Sequence, residues 1–143
     1  MRRVLIVAIL SSMMIMALGE TACQRSRARE LAKDKPYVIH ECDEEGNYLP
    51  LQQTVGTPHW KWCFDKDGDV VLGPSQKIEV CHCPLAKYNA MQSNEDYVPT
   101  CDGSGYYLPI QDHNTNRWCV DINTGLRIGS IVSEAEGRNL NCG

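Results

Sequence analysis

The sequence is poor in large aromatic residues. It holds one Phe, three Trp and six Tyr in 143 residues, too few for so small a chain to rest on apolar burial alone. Blocks of positive charge are missing too, with 14 Lys and Arg against 18 Asp and Glu. An acidic chain without basic clusters lacks the footprint that phosphates or sulfates require, which speaks against nucleic acid or heparin as a partner. No Asn-x-Ser/Thr sequon occurs, so no N-linked glycan is expected. The apolar run "VLIVAILSSMMIMAL" is too short to cross a bilayer, and no membrane insertion is expected.

That run has a different meaning. It follows a basic "MRR" and ends on the small-x-small triplet Ala17-Leu18-Gly19, the layout of a secretory signal peptide over residues 1–19. A membrane anchor is the competing reading, disfavoured by the polar, charged sequence that follows. Four of the five Met fall in this leader, leaving Met91. Without Arg2 and Arg3 the remaining chain has 12 basic residues against 18 acidic ones. A secreted, extracellular protein is expected.

Eight cysteines are what the chain has in abundance. In a secreted chain they read as four disulfides rather than as metal or redox ligands, and their number alone leaves the pairing open. They fall into two quartets, at 23, 42, 63, 81 and at 83, 101, 119, 142, and each quartet carries the same phrases. "CDEEGNYLPLQQ" (42–53) is answered by "CDGSGYYLPIQD" (101–112), and "KWCFD" (61–65) by "RWCVD" (117–121). Gly-containing turns follow, "KDGD" and "NTG". The chain is therefore read as two tandem units, residues 20–82 and 83–143, with one residue between Cys81 and Cys83. So short a junction excludes a flexible linker.

Each unit reads as a small disulfide-rich α+β module. After Cys23, Ala28, Leu31 and Ala32 recur at helical spacing until Pro36, and after Cys83, Pro84 suits a first helical position ahead of "LAKYNAMQ". Short extended pieces then follow, "GNYLPLQQ", "WKWCFD" and "DVVLG" in the first unit. Gly46 and Gly105 stand where a turn needs positive φ. Tyr48, Tyr107, Trp62 and Trp118 read as packing against disulfides rather than as an aromatic binding platform.

The candidate chemical motifs mostly fall away. Counted from Asp65, "DKDGD" puts Val70 and Gln76 where a calcium loop needs Gly and Glu, so it reads as a solvated turn. Cys81-His82-Cys83 lacks the spacing by which one turn presents two thiolates to zinc. His40, His59, His82 and His113 have no counterparts between the units, and Asp43, Glu44 and Glu45 read as a solvated turn. No thiol is left over as a nucleophile. An enzyme is not expected, nor is any cofactor or metal.

The pattern Cys-Asp-x-x-Gly-x-Tyr-x-Pro-x-Gln, then Trp-Cys, Gly and Cys, resembles the thyroglobulin type-1 domain, twice over nearly the whole mature chain. A short secreted chain of two such units is similar to spider venom-gland thyroglobulin type-1 proteins. The resemblance implies in each unit a short N-terminal helix followed by short antiparallel strands and loops. It also implies the pairs Cys23–Cys42, Cys63–Cys81, Cys83–Cys101 and Cys119–Cys142. Each closes a loop of about 20 residues, worth on the order of 3 kcal/mol in the chain-entropy picture.

The family's usual unit has six cysteines, and here the third and fourth are replaced by Gln53 and Lys61 in one unit and by Asp112 and Arg117 in the other. Asp112 and Arg117 are expected to form an ion pair in place of the bridge. Several family members inhibit papain-like cysteine proteases by filling the active-site cleft with loops. Carried onto this chain, the loops are "KDKPYVIH" (33–40) with "TVGTPHW" (54–60), and "SNEDYVP" (93–99) with "HNTN" (113–116). The candidate inhibitory residues are Lys35, Pro36, Tyr37 and Val38 with Gly56, Thr57, Pro58 and His59, facing a cathepsin L-like or similar protease. The alternative is a non-inhibitory extracellular binding module, or a toxin acting on a receptor or channel. The absence of a basic face speaks against a channel toxin.

Overall fold

The structure is a computed structural model and describes residues 19–143; the leader read over residues 1–19 lies, up to residue 18, outside the described residues. The element order is α1 (Ala22–Leu31), β1 (Leu51–Gln53), β2 (Lys61–Phe64), β3 (Val70–Ser75), α2 (His82–Gln92), β4 (Ile110–His113), β5 (Asn116–Val120) and β6 (Arg127–Ser133). A helix followed by a three-stranded antiparallel sheet thus occurs twice, with β2 central in one sheet and β5 in the other. A 3₁₀ turn, Glu136–Asn139, closes the chain.

Helix α1 starts where Thr21 accepts from the Gln24 N–H at 3.2 Å while the Thr21 N–H donates to Gln24 Oε1 at 3.0 Å, a reciprocal cap that satisfies two orphan donors. Helix α2 begins at His82, with Cys81 as its cap, two residues before the start that Pro84 suggests. Pro84 sits there without loss, because the first four helical N–H groups have no intrahelical partner anyway.

Four disulfides, Cys23–Cys42, Cys63–Cys81, Cys83–Cys101 and Cys119–Cys142, tie each helix or strand to its own loop. No cysteine is free. The core is correspondingly small: Cys63, Ile78 and Cys81 are buried together, with Leu51, Val71, Leu72 and Leu85 packed around them. Leu85 belongs to α2, so this cluster joins the first sheet to the second helix.

The paired phrases build paired structures. Tyr48 and Tyr107 lie against Gly68 and Gly125, where a Cβ would come within 2.7 and 2.6 Å of the respective ring. The "DKDGD" stretch is a turn in which Asp65 accepts from the N–H groups of Asp67 and Asp69 at 3.0 and 2.8 Å. Its carboxylate thereby serves the chain's own backbone. Among the described residues no group of three or more His, Cys, Asp or Glu is arranged to hold a metal ion, and no helix is long and apolar enough to cross a membrane.

Candidate functional site

Two segments of the first unit meet edge to edge. The chain leaves α1 through Ala32 and Lys33, whose N–H groups return to Ala28 and Glu30 at 3.2 and 3.1 Å, and then passes through bends at Lys35 and Tyr37 to reach Val38. Val38 forms an antiparallel bridge with Thr54, and the Val55 N–H donates to the Tyr37 carbonyl at 2.9 Å. The candidate residues 35–38 and 56–59 are thereby fixed on one side of the same pairing.

Thr54 organises the second segment. It is buried, and its N–H donates to the Trp60 carbonyl at 2.9 Å while its hydroxyl accepts from the Trp60 N–H at 3.0 Å. Its hydroxyl proton faces the carbonyls of Pro58 and Gly56 at 3.4 and 3.5 Å. The exposed His59 folds back on its own loop, its Nδ1 lying 3.0 Å from the Thr54 carbonyl. A hydrogen bond there makes Nδ1 the protonated nitrogen. Gly56, at φ +111, Thr57 and Pro58 are left exposed at the tip, with a cis bond between the last two. Tyr37 is 65% exposed and Val55 and Trp60 are also exposed, so the edge is apolar as well as rigidly closed. Thr54, Val55 and Trp60 lie within the candidate loop 54–60 read from the sequence, but only Gly56, Thr57, Pro58 and His59 are singled out there. Their signal is positional: they directly flank the glycine-proline loop.

The corresponding parts of the second unit are different. Segment 113–116 is a tight hairpin in which His113 pairs with Asn116 and Asn114 takes φ +52. Tyr97 turns inward: its hydroxyl donates to Gln111 Oε1 at 2.7 Å and its ring lies 5.1 Å from that of Trp118. Burial, with smaller contributions from Tyr107 and Asp112, pushes its hydroxyl up to about 12. One residue explains the contrast. Tyr97 stands four places before Cys101, whereas Tyr37 stands five before Cys42.

Beneath both segments lies a glutamine that the motif includes and whose role the sequence does not state. Gln52 is buried, its Oε1 accepting from the Glu41 N–H at 2.9 Å and its Nε2 donating to the carbonyls of Glu41 and Leu49 at 2.9 and 2.7 Å. Gln111 does the same with Thr100 and Leu108. Each ties the residue before the second Cys of its unit to the Tyr-Leu-Pro strand. Nearby, the His40 ring stacks edge-on to Tyr48 at 5.4 Å, and burial, outweighing the attraction of Glu30, lowers its pKa.

The positions of the missing bridge face one another in both sheets. Gln53 is the register partner of Lys61, and Asp112 that of Arg117. Arg117 Nε lies 2.5 Å from Asp112 Oδ1, and Nη1 reaches the Gly137 carbonyl at 3.2 Å. Among the described residues Gln53 and Lys61 have no such ion pair. Asp112 is about half exposed, so the pair should contribute only about 0.2–1 kcal/mol. A double-mutant cycle on Asp112→Ala and Arg117→Ala, read by urea unfolding, is expected to give a coupling in that range. Strictly additive losses would remove the pair's claim to replace a bridge.

The sequence model of the thyroglobulin type-1 repeat matches residues 84–142. U20-hexatoxin-Hi1a of Hadronyche infensa is 31% identical over 140 residues, covering 92% of this chain and 96% of that protein. Mouse nidogen-2 is 31% identical over 107 residues, 58% of this chain and 8% of nidogen-2. Human thyroglobulin is 30% identical over 127 residues, 74% of this chain and 4% of thyroglobulin. The chain thus spans nearly all of the first relative and a small part of the other two.

Proposed function

Since this chain belongs to the thyroglobulin type-1 family, we propose that it is a secreted, venom-type, non-covalent inhibitor of papain-like cysteine proteases. It is built as two tandem domains, 20–82 and 83–143, of which the first is the inhibitory one, and it acts by occupying a cleft rather than by catalysis. The reading is carried by the edge-to-edge pairing of segments 35–38 and 54–60, which leaves Tyr37, Val55 and the Gly56–Pro58 tip exposed on a closed framework. Disulfide- and hydrogen-bond-anchored loops lose little conformational entropy when they dock, so their contacts convert efficiently to affinity. A relative named as a hexatoxin supports the venom-type part of the proposal.

The test is titration of the purified mature protein against papain and a cathepsin L-like protease. Reversible, competitive inhibition is expected. Tyr37→Ala is expected to weaken it by about tenfold or more, as for an exposed aromatic anchor, with unchanged thermal unfolding because the ring is mostly solvated. No inhibition at about 10 µM, where even a modest −7 kcal/mol interface would register, would sink the proposal.

The second reading, a non-inhibitory extracellular module, is favoured by one observation. At the foot of the first loop, Gln53 and Lys61 face each other without the family's bridge, so the loop depends on Thr54 for its shape. The same titration separates the two readings.

A further inference from the structure

We propose that His40 makes the inhibitory edge of the first unit acid-sensitive: a proton on its ring releases it from the Tyr48–Phe64 stack and loosens the segment that carries Tyr37 and Val38. The inference rests on the inhibitor reading above and adds a regulation of that same edge. His40 is half-buried, its ring 5.4 Å from Tyr48 and 5.9 Å from Phe64, and those two rings lie 5.8 Å from each other. Its Nδ1 is buried and has no hydrogen-bond partner among the described residues. A neutral ring accommodates this by keeping its proton on Nε2 and leaving Nδ1 a bare acceptor. A protonated ring cannot, because both nitrogens are then donors and the Nδ1–H would be shut in without an acceptor.

The surrounding charges do not offset that. Burial is the largest influence and favours the neutral ring; Glu30 on α1 opposes it and Arg29 on the same helix reinforces it, leaving the pKa below the ordinary 6.5. Also on α1, Arg27 is engaged with the His40 carbonyl, to which its Nη1 donates at 2.7 Å. The other packed elements bring only Phe64 and the Tyr48 hydroxyl, which donates to Ser26 at 2.9 Å, while Glu41, next in the chain, is exposed. The backbone on either side has little slack. One residue on, the Glu41 N–H donates to Gln52 Oε1 and its carbonyl accepts from the Leu49 N–H, both at 2.9 Å; two residues back, Val38 pairs with Thr54. A ring that leaves its stack therefore strains the Val38–Thr54 bridge, and with it Tyr37, whose carbonyl accepts from Val55. The folded protein binds this proton less readily than the unfolded chain. The ring's contribution to stability is thus complete above pH 6.5 and is lost as pH falls from there through the lower pKa of the folded state.

The experiment compares inhibition of papain by the mature protein and by His40→Phe, which keeps an aromatic ring in the stack and cannot take a proton. Their ratio at each pH cancels the protease's own titration. Equal inhibition near neutral pH is expected, with the mature protein about fivefold or more weaker than the variant in acid, a size set by one buried unpaired donor. Two measurements need no protease. Followed by NMR, the His40 ring should titrate below 6.5. Over the same interval the exchange protection of the Val55 amide, which donates to the Tyr37 carbonyl, should fall in the mature protein but not in His40→Phe. A ring that titrates at or above 6.5, or identical pH profiles for the two proteins, would overturn the proposal. Inhibition by neither protein at any pH counts against the inhibitor reading alone; the ring titration and the Val55 amide then still decide whether acid loosens this edge.

Discussion

Gln111→Ala is expected to lower the unfolding free energy by about 3–5 kcal/mol, a large share of what a domain of this size possesses. The side chain is fully buried and makes four hydrogen bonds: it accepts from the Thr100 N–H and the Tyr97 hydroxyl at 2.8 and 2.7 Å, and donates to the carbonyls of Thr100 and Leu108 at 2.9 and 2.7 Å. Alanine leaves four polar groups facing a void, and each buried orphan costs about 1–3 kcal/mol less whatever water recovers. The midpoint of thermal unfolding should fall by about 10 °C or more. Gln111→Glu separates the causes. It keeps the volume and both acceptor contacts but, when ionised, sets an oxygen against two carbonyls. If hydrogen bonding is responsible, Glu will be about as damaging as Ala; a near-normal Gln111→Glu protein would show that only volume matters. Gln52→Ala should be milder, because Gln52 makes three such bonds and holds no tyrosine.

The same glutamines mark the limit of what the sequence discloses. The repeated Cys, Gly, Tyr-Leu-Pro and Trp-Cys are legible because each does a job that few residues can do. They cross-link, take positive φ, or lay a half-buried ring against a neighbouring turn, as Tyr48 and Tyr107 do at Gly68 and Gly125. The pairing of residues 53 with 61 and 112 with 117 is legible as well, since a lost bridge must leave both its positions behind. Which of the adjacent Gln52 and Gln53 turns inward is not, because it depends on where the strand's two-residue alternation is anchored by the sheet. Nor is the difference between the two units' loops. "YVIHEC" and "YVPTC" look alike, yet one extra residue frees Tyr37 where Tyr97 is drawn onto Gln111. Thr54 escapes for another reason. A threonine after two glutamines is unremarkable until Trp60 folds back onto its hydroxyl.

Gly105→Ala is the second substitution expected to be severe, again about 3–5 kcal/mol, and its effect should reach both halves of the chain. Gly105 sits at φ +100, where an L side chain is strained by about 1–3 kcal/mol. A Cβ there would lie 1.8 Å from the Val80 carbonyl oxygen and 2.8 Å from its carbon. Those atoms are backbone and cannot rotate away, so the junction itself must move, at a further cost of about 1–3 kcal/mol. What it would displace is a dense set of contacts: the N–H groups of Glu79 and Val80 donate to the Ser104 carbonyl at 2.9 and 3.2 Å, and the Cys83 N–H to that of Gly105 at 3.3 Å. Through them the turn after Cys101 grips the segment that leads into Cys81-His82-Cys83. Two other glycines isolate the terms. Gly129, at φ +74 with open space around it, should cost only the backbone strain when changed to alanine. At Gly46 the obstacle is the Thr21 side chain at 2.4 Å, which can rotate at the expense of its bond to the Gly46 carbonyl. The expected order of denaturation midpoints is therefore Gly129→Ala highest, Gly46→Ala between, Gly105→Ala lowest. Amide shifts in the last should spread to both the Cys63–Cys81 and Cys83–Cys101 loops. Were Gly105→Ala to unfold together with Gly129→Ala, the close approach to Val80 would not be what demands glycine, and the turn would be tolerant of a side chain after all.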